Sequence, residues 1–288
     1  MRLHPAFHRR PMAARRRVQF LLPPAPHGTA AAARTREPAV AALYGNRTLA
    51  DREACSPAGD CGARRESLEH YLAERDHVSA STLRRAISGD PLCVPLRRAP
   101  RGVGESLHAF MLEPSRFKRD YVVPSDCSAL DEEALEARTW LSSSERDRLV
   151  AMRDAVRAYR PLPLARWFVE GAREWSIYWS DADGGQWKAR PDCFSEDFVI
   201  ELKTTPDVRP QAFARTRQRF GYDIQAAHYL EGVRRLVGHT PRFLFVAIET
   251  TPPHYVWTHA LSPAELAAAQ RALEAARTAF RTRVNPEP

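Results

Sequence analysis

Three short runs rich in bulky residues occupy the middle of the chain: Glu174–Trp179, Trp187–Asp192 and Phe198–Thr204. Each is short, bounded by turn-forming residues, and reads as a β-strand. Asp183-Gly184-Gly185 separates the first two and Ser195-Glu196-Asp197 the last two, which predicts an antiparallel meander. Arg242–Glu249 and His254–Ala260 predict further strands. Around them the spacing turns helical. A short helix is expected over Arg64–Arg75. A second, capped by Ser79 or Ser81, runs to Ile87 and stops at Gly89-Asp90-Pro91. Leu92–Gly104 reads as loop, and Glu105–Leu112 as a helix closed by Pro114. Ser144 is expected to cap a long amphipathic helix with apolar positions at Leu149, Met152 and Val156, ended by Pro161 and Pro163. Helices over Pro210–Arg219 and Tyr222–Leu236 follow. Ser262-Pro263-Ala264-Glu265 is a capping box with proline at the first helical position, opening an Ala-rich helix to Arg281. No internal repeat is present. The pattern predicts an α/β (α+β) domain with a helical N-terminal portion.

The second hairpin of the meander carries the candidate chemistry. If its turn centres on Glu196 and Asp197, Asp192 falls directly opposite Glu201. Cross-strand Cβ atoms lie roughly 4.5–5.5 Å apart, within reach of one bridging cation. Side chains on a strand alternate faces, so Glu201 and Lys203 share a face while Leu202 points into a core. Phe198-Val199-Ile200 is apolar enough to be buried on both faces. Two charges at the end of such a strand need a reason, such as a metal and a substrate phosphate. Taken singly, an acid-x-lysine on a strand is a solvated face and Arg-Pro-Asp is a turn; the combination carries the signal.

Composition narrows the class. The 288 residues are 44% hydrophobic, enough for a sizeable core, and no run of eighteen apolar residues exists to span a membrane. The five cysteines are odd in number and include no Cys-x-x-Cys, which reads as reduced thiols in a cytoplasmic protein with no zinc site or disulfide framework. The net charge is +8, but residues 1–37 hold eight arginines against Glu37 alone, leaving about +1 for the rest. Residues 1–60 are therefore expected to be a disordered, basic Ala/Pro/Arg-rich tail. Three readings compete for its basic part: an extension from an upstream start, a loose DNA-binding arm, and a targeting peptide. The first is taken ahead of the second.

The segment Ala189–Gly232 resembles the PD-(D/E)XK nuclease superfamily, and within it the exonuclease VIII (RecE-type) and phage-exonuclease-like branch. The matching pieces stand in family order. Tyr71 and Val78–Leu83 resemble the opening segment, Ser106–Pro114 the histidine-bearing helix, and Glu174–Trp179 the first core strand. The acid-acid-lysine hairpin follows, then Tyr222–Tyr229 with a Gln-x-x-x-Tyr motif. The likeness covers roughly residues 70–260. Glu201 stands where this branch often has aspartate; the superfamily accepts either. The resemblance implies a restriction-endonuclease-like core, a mixed central sheet flanked by helices. A single nuclease domain is expected over residues 61–288: a helical part to 170, a sheet core over 171–261 and a final helix over 262–281. The cysteine pattern argues against the relatives that carry an iron–sulfur cluster on four cysteines.

The resemblance also assigns roles. On its residues alone His108 is a core histidine; the family places a metal ligand there. His108, Asp192 and Glu201, with the carbonyl of Leu202, are then expected to hold Mg²⁺, with Mn²⁺ able to substitute. Lys203 is expected to orient the attacking water, and Glu174 to face the site. Gln225 and Tyr229, four apart on one helix face, read either as a buried packing pair or as contacts to the DNA backbone. Arg190 reads either as a phosphate contact or as the partner of a nearby acid, and Thr204 and Thr205 as weaker backbone contacts. The implied activity is processive 5′ to 3′ digestion of one strand of linear duplex DNA, leaving a 3′ overhang for a single-strand annealing recombination protein. The implied assembly is a homo-oligomeric ring around DNA. Three alternatives stand beside it: a PD-(D/E)XK endonuclease or repair nuclease, a non-catalytic DNA-binding protein, and an inactive prophage remnant.

Overall fold

The computed structural model describes residues 61–92, 102–123 and 138–285, all within one compact unit spanning Arg47–Pro288. The expected tail, residues 1–60, lies outside the described residues, as do Cys55, Cys93 and Cys127.

The core is a five-stranded sheet. At its centre β9 (Phe198–Thr205) pairs in parallel with β10 (Arg242–Glu249), whose other side pairs antiparallel with β11 (Val256–Ala260). On the far side of β9 lie β8 (Cys193–Phe194) and then β5 (Ala172–Arg173). The two central strands are apolar on both faces, and their period of two sorts the side chains into two cores. Val199, Phe243, Phe245 and Ala247 enter one; Ile200, Leu202, Leu244, Val246 and Ile248 enter the other. Leu202 is fully buried there, as its place between Glu201 and Lys203 predicts.

Different helices cover the two cores. The Val199 side is closed by α8 (Tyr222–Val237), α2 (Ala80–Ser88) and α9 (Pro263–Val284). It also packs a four-stranded sheet of order β1-β6-β7-β2: β1 (Cys61–Arg64), β6 (Ser176–Ser180), β7 (Gln186–Ala189) and β2 (Val78–Ser79). The Leu202 side is closed by α3 (Val103–Leu112), α5 (Ser143–Arg157) and α6 (Leu164–Glu170). The short helices α1 (Leu68–Ala73), α4 (Pro114–Asp120) and α7 (Pro210–Phe220) and the strand pair β3 (Tyr121–Val122) and β4 (Thr139–Trp140) complete the fold. The whole is the mixed sheet flanked by helices that the resemblance implies.

Several boundaries differ from expectation for local reasons. Arg64 ends strand β1, which pairs with β6, so the first helix starts only at Leu68 behind the Ser67 cap. The expected helical N-terminal portion thus also supplies four short strands, β1 and β2 to the four-stranded sheet and the pair β3 and β4. Ser142, not Ser144, caps α5, because Glu145 three residues on completes a capping box with it. Helix α6 follows directly on Pro161 and Pro163, which read as breakers alone. Ser79 does cap α2, and Gly89 ends it in the left-handed conformation.

The largest correction concerns the meander. Trp187–Asp192 is not one strand. It breaks after Ala189, and Arg190-Pro191 carries the chain from β7 in the four-stranded sheet to β8 in the five-stranded sheet. Proline has no backbone N–H for a strand ladder, so pairing stops there. The hairpin register survives the break: Cys193 opposes Ile200 and Phe194 opposes Val199, which by extension sets Asp192 opposite Glu201.

Candidate active site

The break at Pro191 creates the site. Strand β9 continues past Ile200, but β8 has no residue left in the ladder to pair with it. The N–H and C=O of Leu202 therefore face an open strand edge, and buried backbone groups must find partners. Asp192 and His108 supply them. The Asp192 Oδ2 accepts the Leu202 N–H at 2.6 Å. The His108 Nε2, reaching down from α3, lies 2.9 Å from the Leu202 carbonyl oxygen and 3.1 Å from the same Asp192 Oδ2. Three atoms that ligate hard cations thus meet at one point: an imidazole nitrogen, a carboxylate oxygen and a peptide carbonyl. Helix α3 comes this close because Gly104 in its first turn leaves room for Thr204; a Cβ there would stand 2.9 Å from the Thr204 hydroxyl.

Glu201 and Lys203 project on the other face of β9, as the period predicts. The Lys203 Nζ donates to the Glu201 Oε1 at 2.8 Å and lies 4.5 Å from the Tyr222 ring centroid. Gln225 donates to the same Glu201 oxygen at 2.9 Å and lies 3.0 Å from the Tyr229 hydroxyl. Both come from α8, which starts after Gly221 in the left-handed conformation. Gln225 and Tyr229 form an internal pair: Tyr229 is buried and Gln225 holds the Glu201 carboxylate. Tyr229, Tyr222, Thr204, Lys203 and His108 line a cavity of about 410 Å³. Thr205 is buried and turned to Asp207.

Charge crowding sets the electrostatics. Burial drives the Asp192 carboxyl well above the usual carboxylate range, and the negative charges of Glu201 and Glu174 push it further. Burial, with Lys203 and Arg116 nearby, lowers His108 to about 3, so its ring is neutral and its contact with Asp192 is a hydrogen bond rather than an ion pair. Burial lowers the Lys203 pKa, but Glu201 and Asp192 outweigh it and raise it overall, so the ammonium stays charged.

Glu174 and Arg190 stand beside this centre in an arrangement the sequence does not reveal. Glu174 does not open a strand. It lies at a left-handed bend, φ 56°, between β5 and β6, and its N–H bonds the Asp192 carbonyl at 3.2 Å. Burial and Glu113 raise its pKa to about 7 despite Arg190. Arg190 is buried and donates to Glu174 at 2.9 Å, Ser176 at 3.1 Å and Glu113 at 3.2 Å. It thus partners nearby acids, and it also lines the cavity shared with His108 and Lys203. Glu113 in turn binds Arg116 at 2.9 Å, and Arg116 reaches Glu105 at 3.0 Å. Glu113, Arg116 and Tyr222 are functional candidates that residue pattern did not flag. Glu113 and Tyr222 lie within the matched segments, which was the available signal.

The donor set fits a divalent cation. It combines oxygen ligands with a neutral imidazole, and the carboxyls of Asp192 and Glu174, raised by burial and by neighbouring acids, are ones whose ionised form a cation would favour. Among the described residues no three His, Cys, Asp or Glu side chains form a ready-made cage. The third donor is the Leu202 carbonyl, and Glu201 is turned toward Lys203 and Gln225.

A mixed sheet with two acids and a lysine at a hairpin, a histidine from a covering helix and a Gln-x-x-x-Tyr helix behind them is the arrangement of a PD-(D/E)XK-like fold. Over residues 97–281 the sequence matches the family described as PDDEXK-like domain of unknown function (DUF3799), and the chain belongs to that family. No curated protein matches it. Among solved structures, the protein of Eubacterium rectale named "Putative exonuclease" superposes with a TM-score of 0.58 at 14% identity, covering 78% of this chain and 89% of that one. That likeness shows the fold. LHK-Exo in complex with dAMP is 13% identical over 76% of this chain and 94% of its own, with a TM-score of 0.33, too low to carry an argument. No helix among the described residues is long and apolar enough to cross a membrane.

Proposed function

We propose that this chain is a divalent-metal-dependent deoxyribonuclease that hydrolyses linear double-stranded DNA from its ends. The observation that carries the reading is the convergence of the His108 Nε2, the Asp192 Oδ2 and the Leu202 carbonyl beside a buried, charged Lys203. Those three atoms would hold Mg²⁺, or Mn²⁺ in its place. When bound, the cation polarises the scissile phosphate and lowers the pKa of a water. Lys203 orients the attacking water and offsets charge that develops on the phosphate oxygens. Glu201 fixes the Lys203 ammonium, and Gln225 fixes Glu201, so the lysine is aimed before substrate arrives. No covalent intermediate is required.

The finer reading follows the phage-exonuclease likeness. Digestion runs 5′ to 3′ and leaves 3′ overhangs for a recombination partner that anneals single strands, and several copies of the chain encircle the duplex. Thr204, at the cavity wall, is the remaining contact to the DNA backbone. The test is end-labelled linear duplex against covalently closed circles in Mg²⁺. Loss of linear substrate alone supports an exonuclease. Cutting of closed circles would favour a PD-(D/E)XK endonuclease. Binding without cutting would leave a DNA-binding protein.

A further inference from the structure

A second concave site lies on the outer side of the helices that cover the Leu202 core. Helices α3, α4, α5 and α6 and the end of β5 enclose a cavity of about 320 Å³. Its floor is apolar, built around Phe110, Phe117, Val156 and Phe168. Val169 stands at its lip with three quarters of its surface exposed. Its rim is cationic, formed by Lys118, Arg153, Arg157 and Arg173. Arg153 is paired with Asp154. No carboxylate forms a salt bridge with Lys118, Arg157 or Arg173 among the described residues, although ion pairs are frequent elsewhere on this chain.

The lining holds no serine, threonine, asparagine, glutamine, tyrosine, histidine or acid side chain. That composition selects among ligands. A nucleobase inserted here would bury its amino and keto groups with nothing but the rim cations to meet them, and unmet polar groups are costly. The aromatic rings are also engaged: Phe117 stacks on Tyr121 at 4.9 Å, and the Arg153 guanidinium lies 5.2 Å from the Phe110 centroid. An aliphatic or aromatic side chain fits such a floor without that cost, and carboxylates flanking it meet the rim cations that have no salt bridge among the described residues.

We infer that this cavity is a docking site for an acidic peptide segment of a partner protein, inserting one or two bulky apolar side chains between Lys118, Arg157 and Arg173. None of these residues belongs to the catalytic centre, so docking recruits the enzyme rather than completing it. The occupant is defined by chemistry: carboxylates next to leucine- or phenylalanine-sized groups.

The test uses the full chain and a fluorescein-labelled peptide, Asp-Asp-Glu-Asp-Leu-Phe, in fluorescence anisotropy. Saturable binding is expected with a Kd on the order of 10 µM, the range open to a small pocket. Replacing the peptide's Leu-Phe by Ser-Ser should weaken it by about tenfold or more, as should Val169→Glu or the pair Lys118→Glu and Arg157→Glu. Those positions are exposed, so the variants should melt like the parent and keep parental DNA cleavage. Three results overturn the inference. The first is no saturable binding, or binding indifferent to these changes. The second is a short oligo-dT that binds more tightly than the peptide and shows the same losses, which would make the site a nucleic-acid contact. The third is binding that emerges only after residues 124–137, which hold five acids and no lysine or arginine, are replaced by a Gly-Ser linker; that would assign the cavity to the chain's own acidic segment.

Discussion

Asp192 and Leu202 are joined by a 2.6 Å hydrogen bond from the Leu202 N–H to the Asp192 carboxylate, made across a strand edge that Pro191 leaves open. The bond does two things. It satisfies an orphaned amide, and it turns Asp192 toward His108 rather than toward Glu201, its opposite number in the register. The two acids of the hairpin are therefore unequal. Asp192 meets His108 and Leu202, while Glu201 meets Lys203 and Gln225 through Oε1 and leaves Oε2 toward the Asp192 N–H.

Removal of Asp192 should separate activity from stability. Burial, with the negative charges of Glu201 and Glu174, drives its carboxyl up in pKa, so at neutral pH its ionised form weakens the fold. Asp192→Asn keeps an oxygen for the Leu202 N–H and removes the charge. The melting temperature should hold or rise while cleavage falls by about a thousandfold, the scale of losing a group that stabilises the transition state. Thermal melts beside an end-labelled duplex assay check this. Near-normal cleavage would remove Asp192 from the ligand set.

Lys203 and Tyr222 should show a graded pair of effects. Lys203→Ala is expected to cut turnover by about 100- to 1000-fold while DNA affinity in EDTA stays close to parental. Tyr222→Phe keeps the ring beneath the ammonium and should be near silent. Tyr222→Leu removes a cation–π contact worth about 0.5–2 kcal/mol, or about 2- to 30-fold in turnover. A phenylalanine variant as impaired as the leucine one would show that the hydroxyl matters and that ring contact does not.

Arg190 tests the buried network against the surface reading. It stands between Glu174 and Glu113, both within 3.2 Å. Arg190→Ala would strand Glu174 in a poorly solvated place, while Glu113 keeps Arg116, and should cost about 3 kcal/mol of stability. Denaturant unfolding measures it. An unchanged unfolding midpoint together with weakened DNA binding would restore the arginine as a phosphate contact.

What the residues foretold and what they hid follow from the range of each interaction. The register of Asp192 against Glu201 was legible because it depends on a turn and a period of two, both local. Strand β10 and the Ser262–Glu265 capping box were legible for the same reason. The transfer of the chain between two sheets at Pro191 was not, since both halves of Trp187–Asp192 read as strand and only tertiary packing decides which sheet each joins. Arg190 illustrates the limit further. Its partner Glu113 lies 77 positions away, so only the folded chain could choose between phosphate and carboxylate. The left-handed Glu174 carries no local mark at all.

Glu265 should govern part of the acid stability. Burial raises its pKa, but the Ser262 N–H and hydroxyl and the Arg217 guanidinium outweigh that and hold it at about 2, below the usual 4.5. It accepts these bonds as the third residue of helix α9, the far end of its capping box, with His259 also 2.9 Å away. A carboxylate whose pKa is depressed by folding binds fewer protons in the native state than in the unfolded one. Its stabilisation is then complete above about pH 4.5 and is lost as pH falls toward 2. The side chain is about one-third exposed, so solvent screening keeps the effect well below what the shift alone suggests. Glu265→Gln retains the shape of the cap and abolishes the charge. Its unfolding free energy should lie below the parent's at pH 6, and the gap should narrow as pH drops from 4.5 to 2.5. Parallel pH profiles for the two proteins would show that Arg217 and the cap draw nothing from the ionised carboxylate.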